Sequence, residues 1–194
     1  MDIALSALAL LLLSPLFAVI ALLVVLDSRG PVFFRADRVG FRGRPLRMLK
    51  FRKMRTGASG VALTVAGDER LTRLGAWLVR TKLDELPQLW HVLRGEMSLV
   101  GPRPESPDFV ARFRTDYDVI LRVRPGITGY TQLAFAREGA ILDRLYASRM
   151  SIRRDLSILV ATFVTLVLRQ PVAVHRDTAA LSLRRRTSNA VLEG

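Results

Sequence analysis

The chain has 194 residues, with 30 Lys plus Arg against 17 Asp plus Glu, a formal net charge of +13 and half of its residues hydrophobic. This apolar content excludes a disordered basic tail protein, and the absence of cysteine excludes a disulfide framework and a cysteine zinc site. The mean hydropathy of +0.25 is high for so basic a chain and predicts contact with a membrane.

The N-terminal segment is apolar. Residues 3–26 carry no charge, and as a helix they reach roughly 36 Å, more than the ~30 Å core of a bilayer. Ser14-Pro15 lies at the middle, where proline removes a backbone hydrogen bond and predicts a kink or break, while the serine hydroxyl is able to satisfy the freed carbonyl. Two arrangements fit, a kinked span and a re-entrant hairpin. A cleaved signal peptide fits less well, because no basic residue precedes the run.

Most of the positive charge follows directly. Residues 28–56 hold ten basic groups and one acid. The positive-inside rule places this side in the cytoplasm, and anionic lipid headgroups attract such segments. Arginine outnumbers lysine by 27 to three in the chain, which permits bidentate phosphate binding.

The remaining pattern predicts a small α+β domain that is mainly helical. Two β-prone runs, 32–34 and 46–51, flank a turn at 40–43 and predict a β-hairpin, and 57–67 is expected to be a loop. Helices are expected after a cap at Asp68, over 86–93, over 108–122 and from Asp143 to an apolar end at 158–168 that packs in the core or lies on the membrane interface. The predicted organisation is a membrane segment 1–27, a cytoplasmic domain 28–174 and a flexible polar tail 175–194.

The sharpest chemical signal is the pair Asp84-Glu85. Pro87 is tolerated only in the first turn of a helix, so both acids are expected at a helix N-terminus, where the helix dipole favours ionised carboxylates. Adjacent helical side chains point about 100° apart, so the two acids are able to do different work on one substrate. The plain alternative is that they are N-terminal capping charges.

Two proline-containing turns present arginine side chains. Prolines in Gly101-Pro102-Arg103-Pro104 and in Arg124-Pro125-Gly126 restrict the backbone beside the basic residue. Rigid arginine loops suit an anionic ligand, although such a turn on its own is more often a surface loop. The sequence has neither a GxxxxGK[ST] nor a GxGxxG motif, which argues against a P-loop ATPase and a Rossmann dehydrogenase.

Taken together, the motifs resemble those of the bacterial sugar transferases, the monotopic phosphoglycosyl transferases. The resemblance covers nearly the whole chain and rests on the apolar segment interrupted by Ser-Pro and on six motifs: Gly30-Pro31-Val32-Phe33-Phe34, Arg38-Val39-Gly40, Lys50-Phe51-Arg52, Leu83-Asp84-Glu85-Leu86-Pro87-Gln88-Leu89, Met97-Ser98-Leu99-Val100-Gly101-Pro102-Arg103-Pro104 and Arg124-Pro125-Gly126-Ile127-Thr128-Gly129. It implies transfer of a sugar 1-phosphate from a UDP-sugar to undecaprenyl phosphate with release of UMP, using Mg²⁺, at the bacterial inner membrane. This is the first membrane step of exopolysaccharide, capsule or glycoconjugate assembly. The resemblance also implies the re-entrant helix hairpin.

The resemblance assigns roles to individual residues. Asp84 is implied to be the nucleophile and the metal-associated acid, which forms an aspartyl phosphosugar, and Glu85 is its partner. The implied phosphate-binding groups are Lys50, Arg52, Arg103 and Arg80, the last beside Val79, which stands where the family carries arginine. The implied substrate loop contains Pro102, Arg124 and Gln132.

The implied partners are undecaprenyl phosphate, a UDP-sugar and anionic membrane lipids, without nucleic acid, while a homodimer stays open. An alternative from another class is a membrane-anchored basic protein that binds nucleic acid through its arginine-rich segment. The aromatic residues near those arginines are few and are expected in the core: Phe33, Phe34, Phe41 and Phe51. A second alternative is an inactive scaffold, against which the intact Asp84-Glu85 pair argues.

Overall fold

The computed structural model describes residues 1–58, 68–134, 139–168, 172–174 and 181–183. Over these residues the chain is mainly helical, which confirms the mixed α and β class. The helices are α1 Asp2–Asp27, α2 Arg73–Thr81, α3 Leu89–Leu93, α4 Pro107–Arg112, α5 Arg114–Ile120, α6 Tyr130–Ala134, α7 Gly139–Ser148 and α8 Ile152–Val167, with 3₁₀ helices Phe41–Gly43 and Leu83–Gln88. The strands are β1 Phe33–Val39, β2 Pro45–Phe51, β3 Ser98–Val100, β4 Gly126–Thr128, β5 Val172–Val174 and β6 Leu181–Leu183.

The predicted β-hairpin is confirmed. β1 and β2 pair antiparallel, with Phe33 opposite Phe51 and Val39 opposite Pro45. Alternate residues of the hairpin point to one face, where Ala36, Leu46 and Met48 are buried with Val92 and Met97. This packing holds β2 against α3 and the 3₁₀ helix that precedes it.

Helix α1 is continuous from Asp2 to Asp27 with Pro15 inside it, so the predicted break at Ser14-Pro15 does not interrupt the helix. Proline has no N–H to donate to the carbonyl four residues earlier, which is that of Leu11. The Ser14 hydroxyl donates to this carbonyl at 2.8 Å, as the sequence predicted. The backbone therefore stays satisfied through the proline without unwinding.

Both ends of α1 contact the rest of the protein. Near the N-terminus, Ser98 Oγ donates to Asp2 Oδ2 at 2.5 Å. Toward the C-terminus, Ile20 and Val24 are buried with Phe51. Large leucines on the opposite face are exposed, and α1 is long and apolar enough to cross a bilayer. The helix thus presents apolar surface outward while its two ends lie on one body.

Two predicted helix boundaries were wrong. Helix α2 is capped by Thr72, whose hydroxyl accepts from the Gly75 N–H at 2.9 Å, whereas Asp68 pairs with Arg70. The predicted helix 108–122 divides into α4 and α5 at Phe113. Within the predicted tail 175–194, strand β6 pairs with β5. The rest of that tail, and 59–67 of the predicted loop, lie outside the described residues.

The C-terminal half of the domain is built on a parallel pair. Strands β3 and β4 place Ser98 opposite Gly126 and Val100 opposite Thr128. Helices α6, α7 and α8 cover this pair with a core that includes Tyr130, Tyr146 and Ile158. The outer face of α8 exposes Ile152, Leu156, Val160, Phe163 and Val167 at helical spacing. An apolar stripe of this kind is typical of a helix that lies on a membrane interface.

Candidate active site

Asp84 and Glu85 lie in the first turn of the 3₁₀ helix Leu83–Gln88, directly before α3. The chain reaches this helix through Lys82, which ends α2 in the left-handed conformation with φ 61°. A non-glycine residue in that region is strained, and such residues concentrate at functional sites. The strained turn directs both carboxylates inward, and the Asp84 residue is only 2% exposed.

Glu85 is held ionised by Lys50. The Lys50 Nζ lies 2.8 Å from Glu85 Oε1, and both side chains are nearly buried. Burial alone would raise the pKa of Glu85, but the charges of Lys50, Arg103 and Lys82 outweigh it and hold the pKa below its usual value. The structure therefore brings Lys50, predicted to bind phosphate, into contact with Glu85.

Asp84 faces a second lysine that the sequence analysis did not single out. The Lys53 Nζ lies 3.6 Å from Asp84 Oδ2. Gly75 allows α2 to approach this lysine, because a Cβ there would lie 1.9 Å from the Lys53 carbonyl oxygen. Burial, together with the charge of Glu85, raises the pKa of Asp84 despite the opposing charges of three lysines, Lys50, Lys53 and Lys82. Burial also lowers the pKa of Lys53.

The two carboxylate oxygens of Asp84 differ in their surroundings. Within the described part of the chain, Asp84 Oδ1 is buried and has no hydrogen-bond partner. A buried lone pair of this kind is costly unless a ligand uses it. The described residues contain no group of three or more acidic, histidine or cysteine side chains placed to hold a metal ion. A cation here would therefore depend on few carboxylates and on oxygens of a bound substrate, which is how Mg²⁺ is commonly held at phosphate sites.

Arg103 completes the charged cluster. Its Nε lies 3.4 Å from Glu105 Oε1, and its charge contributes to the low pKa of Glu85. Its backbone N–H donates at 3.0 Å to Oδ2 of Asp143, and Oδ1 of the same carboxylate accepts from Thr131 Oγ1 at 2.7 Å. The sequence analysis assigned Asp143 no role, although it is nearly fully buried. This carboxylate fixes the Arg103 loop to α6 and α7.

The Arg103 loop is also fixed by a close backbone contact. Gly126 N–H donates to the Pro102 carbonyl at 2.8 Å, and Pro102 is fully buried. A Cβ on Gly126 would lie 2.0 Å from the Gly101 nitrogen, so only glycine fits there. The predicted proline turns thus pack on each other and hold Arg103 in place.

Three predicted ligand-binding arginines lie elsewhere. Arg52 donates to the carbonyls of Ser28 at 2.5 Å and Arg29 at 2.7 Å, at the C-terminal end of α1. Arg80 is exposed in the last turn of α2. Arg124 is exposed, with its guanidinium 6.0 Å from the centre of the Phe41 ring. Arg52 therefore serves as a clamp for α1, because the chain leaves β2 after Phe51 and turns toward that helix.

A cavity of about 540 Å³ opens beside the charged cluster. Lys82, Glu85 and Arg103 line one part of it, and leucines of α3 and α8 line another. Gln132, predicted in the substrate loop, also lines it and donates from Nε2 to the Gly126 carbonyl at 3.4 Å. The cavity therefore offers a charged region and an apolar region to one ligand.

The chain is similar to proteins of a known family. The family model for bacterial sugar transferase matches residues 1–169. The chain is 42% identical over 180 residues to the undecaprenyl-phosphate glucose phosphotransferase of Komagataeibacter xylinus, covering 83% of this chain and 34% of that protein. It is 41% identical over 183 residues to the exopolysaccharide production protein PSS of Rhizobium leguminosarum bv. phaseoli, covering 84% of this chain and 92% of that one.

A third relative is the UDP-glucose:undecaprenyl-phosphate glucose-1-phosphate transferase of Caulobacter vibrioides, 38% identical over 182 residues, with 86% of this chain and 68% of that protein covered. The chain spans about a third of the Komagataeibacter protein and most of the Rhizobium protein. The match of the family model over nearly the whole chain, together with these identities, shows that the chain belongs to the bacterial sugar transferase family.

Proposed function

We propose that the protein transfers a sugar 1-phosphate from a UDP-sugar to undecaprenyl phosphate, releases UMP and passes through a covalent aspartyl intermediate. The observation that carries the proposal is the buried Asp84-Glu85 pair, held by Lys50 and Lys53 beside Arg103. Similar proteins bear the names of undecaprenyl-phosphate sugar phosphotransferases.

In the first step, the Asp84 carboxylate attacks the β-phosphorus of the UDP-sugar. The new bond joins the carboxylate oxygen to phosphorus, and the bond from the β-phosphorus to the bridging oxygen breaks. UMP leaves with that electron pair. In the second step, a phosphate oxygen of undecaprenyl phosphate attacks the same phosphorus and displaces the carboxylate, giving a diphosphate-linked sugar. A hard transfer to a weak nucleophile is thereby divided into two easier steps.

The surrounding charges suit this chemistry. Lys53 balances the Asp84 carboxylate before attack, and Lys50 keeps Glu85 ionised. Arg103 offers a planar donor fork to the phosphoryl oxygens, where negative charge develops. Burial keeps competing water from the acyl phosphate, whose hydrolysis would waste the substrate.

Mg²⁺ fits this arrangement as a proposed cofactor. Asp84 would hold the ion together with phosphate oxygens of the substrate, because its Oδ1 is buried without a partner among the described residues. When bound, the ion neutralises phosphate charge during transfer.

We further propose that α1, although continuous, bends at Pro15 so that it enters one leaflet and returns, and that the domain lies on the cytoplasmic face. A spanning helix would separate its two ends by a bilayer core of about 30 Å. Here Asp2 contacts Ser98 and the end of α1 is clamped by Arg52, so both ends lie on the same body. The basic segment 28–56 and the exposed stripe of α8 support placement at an anionic surface.

The nucleic-acid alternative loses support from the same contacts. Lys50 and Lys53 are committed to carboxylates, and Arg52 to backbone carbonyls. Phe51 is buried and stacks with Phe33 at 5.4 Å between ring centroids, so it is not an exposed platform for bases. Phe33 and Phe34 were also expected in the core, but both are exposed.

The test is catalysis by the detergent-solubilised protein with undecaprenyl phosphate, Mg²⁺ and a panel of UDP-sugars headed by UDP-glucose. We expect UMP release for the wild type and none above background for Asp84→Asn, which keeps the shape of the side chain but loses the nucleophile. Asp118→Asn on the exposed face of α5 is the matched control. With UDP-sugar alone, intact mass should rise by one phosphosugar in the wild type only. Turnover by Asp84→Asn at the wild-type rate would refute the proposal.

A further inference from the structure

A second cavity, of about 630 Å³, lies away from the acidic pair, between the hairpin turn and α3. Arginines from three parts of the chain line it: Arg35 from β1, Arg44 and Arg47 at the start of β2, and Arg94 after α3. Phe41 and Trp90 also line it. We call these six residues the basic groove.

The charge of the basic groove is largely uncompensated. Glu96 pairs with Arg94, with 3.0 Å between Nε and Oε1, and it also contacts His91. Asp37 lies 4.0 Å from Arg47, and both side chains are more than 80% exposed, so this pair contributes little. Among the residues that the structure describes, Arg35 and Arg44 have no ion-pair partner. Several guanidinium groups therefore remain available to an anion.

The position of the groove identifies the kind of anion. Helix α3 packs along α1, whose opposite face exposes leucines. If α1 enters the membrane, as the proposed function holds, α3 lies at the level of the lipid headgroups. Trp90 on α3 is 48% exposed, and tryptophan with arginine is characteristic of this level of a bilayer.

We propose that the basic groove binds the phosphodiester headgroup of an anionic phospholipid. Arginine forks match phosphate oxygens, and the indole ring of Trp90 suits the boundary between headgroup and acyl chain. The site is distinct from the transfer site, because none of its six residues lines the cavity beside Glu85. Bound lipid would fix how the domain sits on the membrane.

Trp90 provides the readout. The chain has two tryptophans, so a Trp77→Phe background leaves Trp90 as the only one. The full chain in a zwitterionic detergent is titrated, without UDP-sugar, with short-chain phosphatidylglycerol, short-chain phosphatidylcholine, inorganic phosphate or a short single-stranded oligonucleotide. We expect a saturable change in Trp90 fluorescence with phosphatidylglycerol and at least roughly ten-fold weaker binding of phosphatidylcholine and phosphate.

Paired variants locate the site. Arg44→Gln with Arg47→Gln should weaken phosphatidylglycerol binding by roughly ten-fold or more. The control, Arg112→Gln with Arg114→Gln, removes the same charge from exposed positions of α4 and α5 and should bind as the parent does. Equal binding of the two lipids, or equal loss in both double variants, would overturn the proposal. Tightest binding by phosphate or by the oligonucleotide would also overturn it, in favour of a free-anion or nucleic-acid site.

This experiment is independent of the transferase assay. Lipid binding is measured without substrate, so a failure of transfer leaves its outcome readable. Conversely, UMP release by the groove variants in detergent reports on the transfer site alone.

Discussion

The Lys53 ammonium lies 3.6 Å from the Asp84 carboxylate, and this pair is the direct link between the end of the β-hairpin and the proposed nucleophile. Burial works against charge on both partners, raising the pKa of Asp84 and lowering that of Lys53. Each partner therefore favours the ionised form of the other, and Lys50 contributes more than Lys53 to lowering the pKa of Asp84.

Lys53→Met should lower UMP release and shift the acidic limb of the pH profile to higher pH. The reason is that Lys53 lowers the pKa of Asp84, so its loss raises that pKa further and leaves less carboxylate at a given pH. Lys53→Arg keeps the charge and should return the acidic limb of the pH profile close to its wild-type position. The measurement is initial UMP release against pH for the three proteins. Superimposable profiles would show that Lys53 does not act on the nucleophile.

Arg103→Ala should reduce transfer more than Arg103→Lys, and lysine should not rescue fully because it lacks the bidentate fork. Loss of one charged donor to a phosphoryl group costs roughly 2 to 4 kcal/mol of transition-state stabilisation. The comparison is kcat/KM for the UDP-sugar, with exposed Arg112→Ala as the control. If all of these proteins are equally active, Arg103 lies outside the reaction.

Arg52→Met should destabilise the protein without raising KM for the UDP-sugar. Arg52 donates to the carbonyls of Ser28 and Arg29, and hydrogen bonds to a charged group contribute about 1.5 to 3 kcal/mol each. Thermal unfolding in detergent and the KM of the surviving activity separate the two roles. An unchanged Tm with a higher KM would restore the original prediction that Arg52 binds phosphate.

Asp143→Asn should flatten the dependence of stability on pH. Burial raises the pKa of Asp143 from 3.8 to about 7. Between these values the folded state binds more protons than the unfolded state, so wild-type stability falls as pH rises from about 4 to 7. The amide cannot ionise and should remove that fall, which Tm measured across this range will show. Parallel curves of Tm against pH for wild type and Asp143→Asn would show that Asp143 does not cause the fall in stability. Asp118→Asn is the control.

The topology of α1 is tested with a cysteine inserted before Asp2 in this chain that has none. A membrane-impermeant thiol reagent on intact cells should fail to label the wild type and should label it after permeabilisation. Pro15→Leu restores the hydrogen bond to Leu11 and favours a straight span, so part of that population should become labelled. Leu12→Ala, which keeps the proline, should behave as the wild type. Strong labelling of intact wild-type cells would mean a spanning helix.

The sequence was sufficient to predict those site residues that stand in recognisable local motifs. Asp84, Glu85, Lys50 and Arg103 are charged groups beside proline or at a strand end, and they do converge. Lys53 lies in the same basic run as Arg52, and nothing in the sequence distinguishes the residue that pairs with Asp84 from the one that clamps α1.

The remaining misses have physical causes too. Asp143 gains its role from contacts with Arg103 and Thr131, which only the folded chain brings together. Helix α1 is not broken at Pro15, because one side-chain hydrogen bond from Ser14 replaces the backbone hydrogen bond that Pro15 removes. The kink that the sequence predicts there stays a prediction. The predicted helix 108–122 is divided at Phe113, where no glycine or proline in the sequence predicts a helix end.

The contact between Asp2 and Ser98 also bears on the order of assembly. These residues are 96 positions apart, so α1 leaves the ribosome long before its partner exists. Chains emerge N-terminus first at about 5 to 20 residues per second, and closing so long a loop carries an entropic cost. The outward-facing leucines of α1 are exposed in the folded protein as well, so no part of the protein that the structure describes covers them at any stage. If α1 enters the membrane, as the proposed function holds, lipid would cover this surface early, and the domain would then fold onto a helix that is already anchored.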